Sequence, residues 1–399
     1  MTSAELHALQ QPEVLELIDR HADDDPAVFA MRFHGRAELP VRAMAEQIAC
    51  RKRATLKLPS LSLFPLLYTR LGLEQASGER AAEYKANLLT GRSIIDLTGG
   101  LGIDSIFFAR HFETVVYCER DPELAELAGY NRRVLGMTNV EMRVGDAAEI
   151  LENYPDNSFD WVFVDPARRE EGRRSVGLEA SSPDVVRMHD RMLRIAPKVC
   201  VKASPALEIK DLHCRLPGLA SVIVVSVGGE CKEILLMLDR AHPSGVKPTV
   251  RAVCLGERLF EIASQGEAAA GRAVTSAPGH WLYEPDAAII KARLTGELAR
   301  SLNLEFLNGS VDYLTSERFV EDFPGRVFRV EEWLPFKPKS FGAFLRDRAI
   351  TGAAIQRRDF PLSTDEIRKK FRLRESSEVY LFFTKSADGS PICLYCRKP

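Results

Sequence analysis

Apolar residues between positions 90 and 240 fall into short runs that end in polar or glycine-rich turns. Runs of this length, rich in Val, Ile and Phe and closed by turn residues, predict buried strands. The predicted strands occupy 93–97, 114–118, 140–144, 159–164 and 198–203. A helix is predicted over 184–195, where apolar residues recur at helical spacing. Strands that alternate with helices in this way indicate an α/β fold built on a parallel sheet.

The patterning divides the whole chain into four segments. Residues 1–90 are predicted to be helical, and residues 91–240 to form the sheet domain, which a hairpin of two strands around Gly228 and Gly229 completes. Residues 241–278 are predicted to be a connecting segment. From 279 to 399 short strands and helices alternate again, which is typical of a small α+β domain.

The turn after the first predicted strand is rich in glycine. Asp96 ends the strand, and Gly99, Gly100 and Gly102 follow before a helix begins near Asp104. Glycines allow a tight turn and a close approach of the backbone to a ligand, and the start of a helix is positive. The spacing differs from the Gly-x-Gly-x-x-Gly of dinucleotide sites, and the Gly-Lys-Ser/Thr of phosphate-binding loops is missing. The turn therefore predicts a nucleotide-type site of another kind.

A carboxylate follows each of the first four predicted strands. These residues are Asp96, Glu119, Asp146 and Asp165. Ligands of open α/β sheets bind at the carboxyl ends of the strands, and an acidic residue after the second strand usually holds a ribose diol. Carboxylates accept hydrogen bonds from hydroxyls and amines, whereas they repel phosphates. We therefore expect a ligand with ribose and amine groups at this edge of the sheet.

The glycine turn and the carboxylates resemble the class I S-adenosylmethionine-dependent methyltransferases over roughly residues 90–240. The resemblance implies a Rossmann-like, seven-stranded sheet and S-adenosylmethionine as the cofactor, with Glu119 on the ribose and Asp146 on the adenine amine. The cofactor-binding residues that it implies are Asp96, Thr98, Gly99, Gly100, Gly102, Glu119, Asp146 and Ala147. Gln75 and Ser77 are second-rank candidates, because the helix after them leads into the first strand and should begin near the cofactor.

The run Asp165-Pro166-Ala167-Arg168 marks the predicted acceptor end of the site. It is similar to the Asp/Asn-Pro-Pro-aromatic motif of amino-methyltransferases, although the aromatic residue is missing. The resemblance implies that the Asp165 carboxylate and the Pro166 carbonyl accept hydrogen bonds from an exocyclic amine. Methyl transfer is an in-line displacement, so the enzyme mainly has to orient the acceptor.

The same run is similar to the Asp-Pro-x-Arg of the uracil C5-methyltransferases. Those enzymes need a nucleophilic cysteine at the end of the fifth strand, where this chain has Ala203. Cys200 lies three residues earlier, within the predicted strand, and a thiolate there would need a register shift to attack. The sequence therefore argues against C5 methylation.

Basic residues cluster in two places that suit a phosphate-bearing substrate. Arg168, Arg169, Arg173 and Arg174 follow the predicted acceptor clamp directly. Residues 337–374 hold eleven basic and four acidic residues, a local charge of +7 in a chain whose formal net charge is −2. This asymmetry indicates a nucleic-acid surface. Lys202 is predicted either to bind a substrate phosphate or to pair with Asp165.

The C-terminal segment resembles the THUMP-like domain that follows a class I methyltransferase core in a bacterial family. The resemblance rests on 283–287 (Tyr-Glu-Pro-Asp-Ala) and on 355–362 (Ile-Gln-Arg-Arg-Asp-Phe-Pro-Leu). THUMP domains are associated with RNA-modifying enzymes. The resemblance therefore implies a small THUMP-like or ferredoxin-like domain that binds RNA.

Composition argues against several other classes of protein. No apolar run approaches the roughly 18 residues of a membrane span, and the N-terminus lacks the basic and apolar regions of a secretion signal. The eight cysteines are scattered, which suits a reducing cytoplasm. Cys393 and Cys396 form a lone Cys-x-x-Cys, which we assign to a plain strand because structural zinc needs four ligands. No metal is expected.

The sequence thus predicts a cytoplasmic S-adenosylmethionine-dependent methyltransferase that modifies a base amine in tRNA or rRNA. The candidate catalytic residues are Asp165, Pro166, Arg168 and Lys202. Two alternatives stay open. One is a methyltransferase for a protein or a small molecule, and the other is an RNA-binding protein that uses the cofactor structurally.

Overall fold

The computed structural model describes residues 1–168, 178, 181–243, 245–264 and 271–399. Its contacts divide the chain into two compact units. The first unit comprises 1–222 and 232–248, and the second comprises 223–231 and 249–399.

The first unit begins with a helical region, as the patterning predicts. Its helices are α1 (Ser3–Leu9), α2 (Pro12–Arg20), α3 (Pro26–Arg32), α4 (Val41–Lys57), α5 (Arg70–Gln75) and α6 (Glu79–Leu88). The chain encodes several of the starts locally. The Thr2 side chain and Glu5 form a capping box on α1, and Asp25 caps α3 ahead of Pro26. Such caps satisfy the unbonded N–H groups of the first helical turn.

The predicted strands lie in one sheet. In chain order the strands are β1 (Ser93–Asp96), β2 (Thr114–Glu119), β3 (Val140–Val144), β4 (Trp161–Val164), β5 (Ala167–Arg168), β6 (Ser181–Ser182), β7 (Lys198–Ala203), β8 (Leu219–Val227) and β9 (Glu230–Asp239). The helices between them are α7 (Ile103–Phe108), α8 (Pro122–Val134), α9 (Ala147–Glu152) and α10 (Val185–Ile195). Strands β5 and β6 form a separate two-stranded ladder.

In the described part of the chain the sheet has nine strands, and seven of them, in the order β8-β9-β7-β4-β1-β2-β3, have the predicted methyltransferase arrangement. The pairs from β7 to β3 are parallel, and β9 runs antiparallel to β7. Gly228 and Gly229 join β8 to β9 with φ of +59° and +83°. A tight hairpin favours positive φ at both central residues, which glycine adopts without strain.

The second unit contains a hairpin that the sequence analysis missed. Residues 241–278 are not only a connection, because β10 (Thr249–Leu255) and β11 (Leu259–Ser264) pair antiparallel there. Along β11 the side chains alternate between exposed and half-buried, and Leu259 is on the exposed side. Such a strand has no continuous apolar run, which explains why the pattern hid it.

The rest of the second unit is an α+β domain around a seven-stranded sheet. Its elements are β12 (Trp281–Pro285), α11 (Ala287–Lys291), α12 (Thr295–Leu302), β13 (Glu305–Phe306), β14 (Leu314–Ser316), β15 (Gly325–Pro335), α13 (Pro338–Asp347), β16 (Ala354–Arg357), α14 (Thr364–Phe371), β17 (Tyr380–Lys385) and β18 (Pro391–Arg397). The strand order is β13-β14-β12-β15-β18-β17-β16. Helices α11 and α12 are separate because the chain turns between them at Arg293, whose φ is +61°.

The connectivity of β15 to β18 differs from that of a ferredoxin-like unit. A ferredoxin-like unit runs β-α-β-β-α-β, whereas β15 to β18 follow the order β-α-β-α-β-β. The reason is that α14 is a crossover, so β16 and β17 pair parallel instead of forming a hairpin. Helices α13 and α14 both pack on the sheet face that carries Leu381 and Phe383.

Candidate active site

The four strand-end carboxylates come together at one edge of the sheet. Strands β4, β1, β2 and β3 are consecutive neighbours, so Asp165, Asp96, Glu119 and Asp146 follow one another in that order. The parallel register places Asp96 opposite Tyr117 and Phe163. Neighbouring strands lie about 4.8 Å apart, so the row spans on the order of 15 Å.

The glycine turn depends on a close approach to Tyr117. A Cβ atom on Gly99 would lie 2.1 Å from the Tyr117 ring, a distance that no side chain tolerates. The Tyr117 hydroxyl donates to the Gly100 carbonyl at 2.6 Å, and the Gly100 N–H donates to Glu119 Oε2 at 2.9 Å. Gly100 and Gly102 have φ of +56° and +80°, which favours glycine at both positions. The Gly99 N–H also donates to the Cys118 carbonyl at 2.7 Å, so three successive residues of β2 hold the turn.

Asp96 is buried behind this turn. Its carboxylate accepts hydrogen bonds from the Ser105 hydroxyl at 2.6 Å and from the Thr98 N–H at 3.1 Å. Burial raises the pKa of Asp96 to about 7, although these two hydrogen bonds oppose the shift. Asp96 thus holds the turn against α7 from within.

Glu119 and Asp146 present acceptors at the other end of the row. Glu119 is half-buried, and its two oxygens accept from the N–H groups of Gly100 and Asp121 at 2.9 Å each. Asp146 is exposed and caps α9 by accepting from the Ala148 N–H, while Ala147 is buried. Each carboxylate oxygen can accept more than one hydrogen bond, so both side chains keep capacity for a ligand.

Asp165 is held in place from two sides. Its N–H donates to the Thr98 hydroxyl at 2.6 Å, which joins the ends of β1 and β4. Its carboxylate forms an ion pair with Lys202 at the end of β7. Pro166 follows half-buried. The alternative in which Lys202 is a structural partner of Asp165 is the one that the structure contains.

The electrostatics around Lys202 favour its charged form. Burial would lower the pKa of Lys202, but the carboxylates of Asp165 and Asp104 outweigh it and raise that pKa. Lys202 Nζ lies 3.9 Å from Asp104 Oδ2. An ammonium group therefore stays beside the predicted acceptor position.

A buried cluster of polar side chains lies behind the glycine turn. Lys85 on α6 bonds both oxygens of Glu233, at 2.7 and 2.8 Å, and the Ser77 hydroxyl at 3.1 Å. The Ser77 hydroxyl in turn donates to Asp104 Oδ2 at 2.8 Å, and Lys85 lies 3.2 Å from Asp104 Oδ1. Ser77 thus reaches the α7 start as expected, whereas Gln75 is exposed at the end of α5.

The arginines after Asp165 are placed only in part. The backbone of Arg168 belongs to β5 and pairs with Ser181 of β6. Arg169, Arg173 and Arg174 lie outside the described residues. The basic loop that they were predicted to form stays a prediction.

The comparisons with known proteins agree with this geometry. A crystal structure of a candidate methyltransferase from Porphyromonas gingivalis matches with a TM-score of 0.85 and 28% identity, over 99% of this chain and 98% of that one. An uncharacterized S-adenosylmethionine-dependent methyltransferase of Mycobacterium tuberculosis is 26% identical over 351 residues, which is 87% of this chain and 93% of that protein. The family described as THUMP domain-like matches residues 325–398.

The chain is an S-adenosylmethionine-dependent methyltransferase. A further relative, an uncharacterized RNA methyltransferase of Oceanobacillus iheyensis, is 34% identical over 139 residues, which is 34% of this chain and 27% of that protein. In the part of the methyltransferase that the structure describes, no helix is long and apolar enough to cross a membrane.

The residues of the site fit S-adenosylmethionine. The space where a Cβ atom of Gly100 would stand is open, with the nearest atom 3.9 Å away, so the turn can receive a ligand at its surface. The flanking groups are carboxylates with spare acceptor capacity, which suits the hydroxyl and amine donors of an adenosine. Asp96, by contrast, is only 1% exposed and bonds Ser105 and Thr98, so we expect it to support the turn from within instead of touching the ligand.

Sequence reasoning missed Lys85, Asp104 and Glu233. The available indication was Lys85 itself, since it stands on the apolar side of α6 with Ala82 and Ala86. A lysine is almost never fully buried unless it is paired. Its partner Glu233 is 148 residues away, so no local pattern could have named it.

Three cysteines for which the sequence raised a chemical role, Cys200, Cys393 and Cys396, are buried core residues. Cys200 is buried within β7, and burial raises the pKa of its thiol, which makes it unsuited to nucleophilic attack. Cys393 and Cys396 lie in β18, as the strand assignment predicts, and belong to the packing on opposite faces of the sheet. Among the residues described, no cluster of three metal-ligating side chains occurs.

The buried Asp96 makes a prediction about stability and pH. Its carboxyl stays protonated in the folded protein up to about pH 7, whereas an unfolded Asp ionises near pH 4. The folded state therefore binds more protons between these values, and the free energy of unfolding falls as the pH rises from about 4 to about 7. We expect Asp96→Asn to flatten this decline in urea unfolding measured at intervals across that range.

The matched control is Asp146→Asn, which removes an exposed carboxylate and leaves an equally good helix cap. It should keep the decline of the parent protein. An Asp96→Asn variant whose stability still falls as steeply with rising pH would contradict the assignment.

Proposed function

We propose that the protein is a cytoplasmic enzyme that transfers a methyl group from S-adenosylmethionine to a base amine of tRNA or rRNA. The observation that carries this proposal is the position of Asp165 beside the glycine turn, fixed by Thr98 and Lys202 at the end of β4. Cys118, Cys200 and Cys254 are buried thiols that belong to no disulfide, which supports a cytoplasmic location.

The chemistry of the acceptor end follows from this geometry. S-adenosylmethionine, when bound, supplies a methyl group on a sulfonium, which a nitrogen lone pair can attack. Lys202 binds Asp165 through Oδ2, and Oδ1 can accept an N–H of the base amine. The Pro166 carbonyl can accept the second N–H. These two hydrogen-bond acceptors, in fixed positions, direct the nitrogen lone pair toward the methyl group. That is the orientation that an in-line displacement requires.

The surface of the THUMP-like domain supports RNA as the substrate. Seven basic residues of the segment 337–374 are exposed and form no ion pair among the described residues. They are Lys337, Lys339, Arg346, Lys369, Lys370, Arg372 and Arg374. Because α13 and α14 pack on the same face of the sheet, their outer sides present these charges together. A basic surface of this kind neutralises phosphates.

The names of relatives point the same way. The Oceanobacillus iheyensis relative and one from Lactobacillus johnsonii, 30% identical over 133 residues, are both described as RNA methyltransferases. Both matches cover about a third of this chain. They therefore support RNA as the substrate class and leave the base to experiment.

One observation favours a second candidate for the group that receives the methyl, a ribose hydroxyl of the RNA. Lys202 carries a protonated ammonium beside Asp165, and an ammonium donates hydrogen bonds but accepts none. An RNA hydroxyl could receive a hydrogen bond from Lys202 while Asp165 accepts its proton. Nucleoside analysis of the methylated RNA distinguishes a modified base from a modified ribose.

The role of Asp165 predicts the behaviour of Asp165→Ala. This substitution removes the acceptor clamp but leaves the glycine turn and Glu119, so transfer to RNA should fall on the order of 100-fold or more while S-adenosylmethionine affinity stays within about twofold. Single-turnover transfer of a labelled methyl group and calorimetry measure the two effects. Asp190→Ala, which removes an exposed carboxylate from α10, is the control. Unchanged turnover in Asp165→Ala would remove the proposed role.

The basic surface predicts a salt effect. Replacing Lys369 and Lys370 by glutamine should weaken RNA binding and lower the slope of log K against log salt by roughly 0.7 to 0.9 for each phosphate that the variant no longer neutralises. Filter binding of total tRNA at several salt concentrations measures this slope. The control replaces the exposed Arg187 and Lys247 by glutamine. Equal slopes for both double variants would argue against an RNA surface on α14.

A further inference from the structure

Five charged side chains form a line of alternating sign through the first unit. The line runs from Glu233 through Lys85, Asp104 and Lys202 to Asp165. Its members come from β9, α6, α7, β7 and the residue after β4. The separations between charged atoms are 2.7 Å for the first pair, 3.2 Å for the second and 3.9 Å for the third, and the last pair is in direct contact.

Lys85 is the most completely buried charge of this line. Its side chain is 0% exposed, and its ammonium has Glu233, Asp104 and Ser77 as partners. Burying a charge costs free energy that only its partners can offset. A stable core could use an apolar residue at this helix position, as α6 does at Ala81, Ala82 and Ala86. The lysine therefore needs a reason beyond packing.

The effect of Lys85 on Asp104 supplies that reason. Burial would raise the pKa of Asp104, but Lys85 first and Lys202 second outweigh burial and lower that pKa. Asp104 thus stays an anion between two ammonium groups. Without Lys85, the buried carboxylates of Asp104 and Glu233 would both attract Lys202, whose charge they already stabilise.

We propose that Lys85 is a positioning residue for methyl transfer, which holds Asp104 and Glu233 so that Lys202 stays on Asp165. The inference rests on the proposed function insofar as Asp165 is the acceptor clamp. Lys85 bonds no atom of Asp165 among the contacts that the structure describes, so its action runs through Asp104 and Lys202. The same residue bonds Ser77, and it therefore links the start of α6 to the acceptor end.

A double-mutant cycle on stability tests this coupling without any substrate. The variant Lys85→Met with Glu233→Gln removes one charge of each sign, so the net buried charge is unchanged. Urea unfolding then compares the effect of Asp165→Asn in the parent protein and in this background. Distant, independent sites are additive. We expect the destabilisation by Asp165→Asn to shrink by about half or more in the double variant, and full additivity would overturn the inference.

Kinetics provide the second readout. In the double variant we expect kcat for RNA methylation to fall about tenfold or more, with KM for S-adenosylmethionine within about threefold, since the lost interaction acts at the transferring group. Glu83→Gln changes an exposed carboxylate of the same helix and is the control, which should keep kcat within about twofold. An unchanged kcat in the double variant would overturn the inference, as would an equal loss in Glu83→Gln.

Different results would reject the proposed function and the positioning role of Lys85. If the parent protein transfers no methyl group to any RNA, the proposed function fails while the stability cycle still decides the role of Lys85. If the double variant does not fold, Asp104→Asn replaces it in both measurements, because it removes the anion between the two lysines and keeps the side-chain shape. Additive stability and an unchanged kcat in Asp104→Asn would then overturn the inference.

Discussion

The packing of the Tyr117 ring against Gly99 is the constraint on which the site depends. The ring occupies the space of a Cβ atom, so the chain can pass there only as glycine. That approach brings the Gly99 N–H to the Cys118 carbonyl at 2.7 Å and the Gly100 N–H to Glu119. These contacts fix the turn to the end of β2 and to Glu119, the candidate for binding the ribose. A ligand then has less of the site to order when it binds.

The proposed acceptor end is stabilised by buried ion pairs and not by close backbone packing. There the protein buries charges instead of exposing backbone groups, and each charge is stabilised by neighbours of opposite sign. Removing one member leaves the others uncompensated, so such a network transmits the loss to its far end. Thr98 connects the two halves, because it belongs to the turn and its hydroxyl accepts from the Asp165 N–H. The proposed cofactor and acceptor positions are therefore both held by the same short loop.

The strand ends could be predicted from the sequence because each depends on a local pattern, an apolar run followed by a carboxylate, and because parallel strands bring their ends to one edge. The THUMP-like domain was recognisable from its motifs, but its strand order was not, since α14 decides by packing whether β16 and β17 pair parallel. Strand β11 was missed because half of it faces outward. Lys85 and Glu233 could not be joined from sequence, since their contact exists only once the sheet has formed.

Calorimetry of S-adenosylmethionine binding tests the central claim most directly, on the parent protein and on two glycine variants. Gly100 and Gly136 have φ of +56° and +65°, and both face open space, so arginine strains the backbone similarly at either position. The account predicts that the parent protein and Gly136→Arg bind the cofactor alike and that Gly100→Arg does not bind it. Binding by Gly100→Arg with the parent affinity, or no binding by the parent protein, would contradict a cofactor site at the glycine turn.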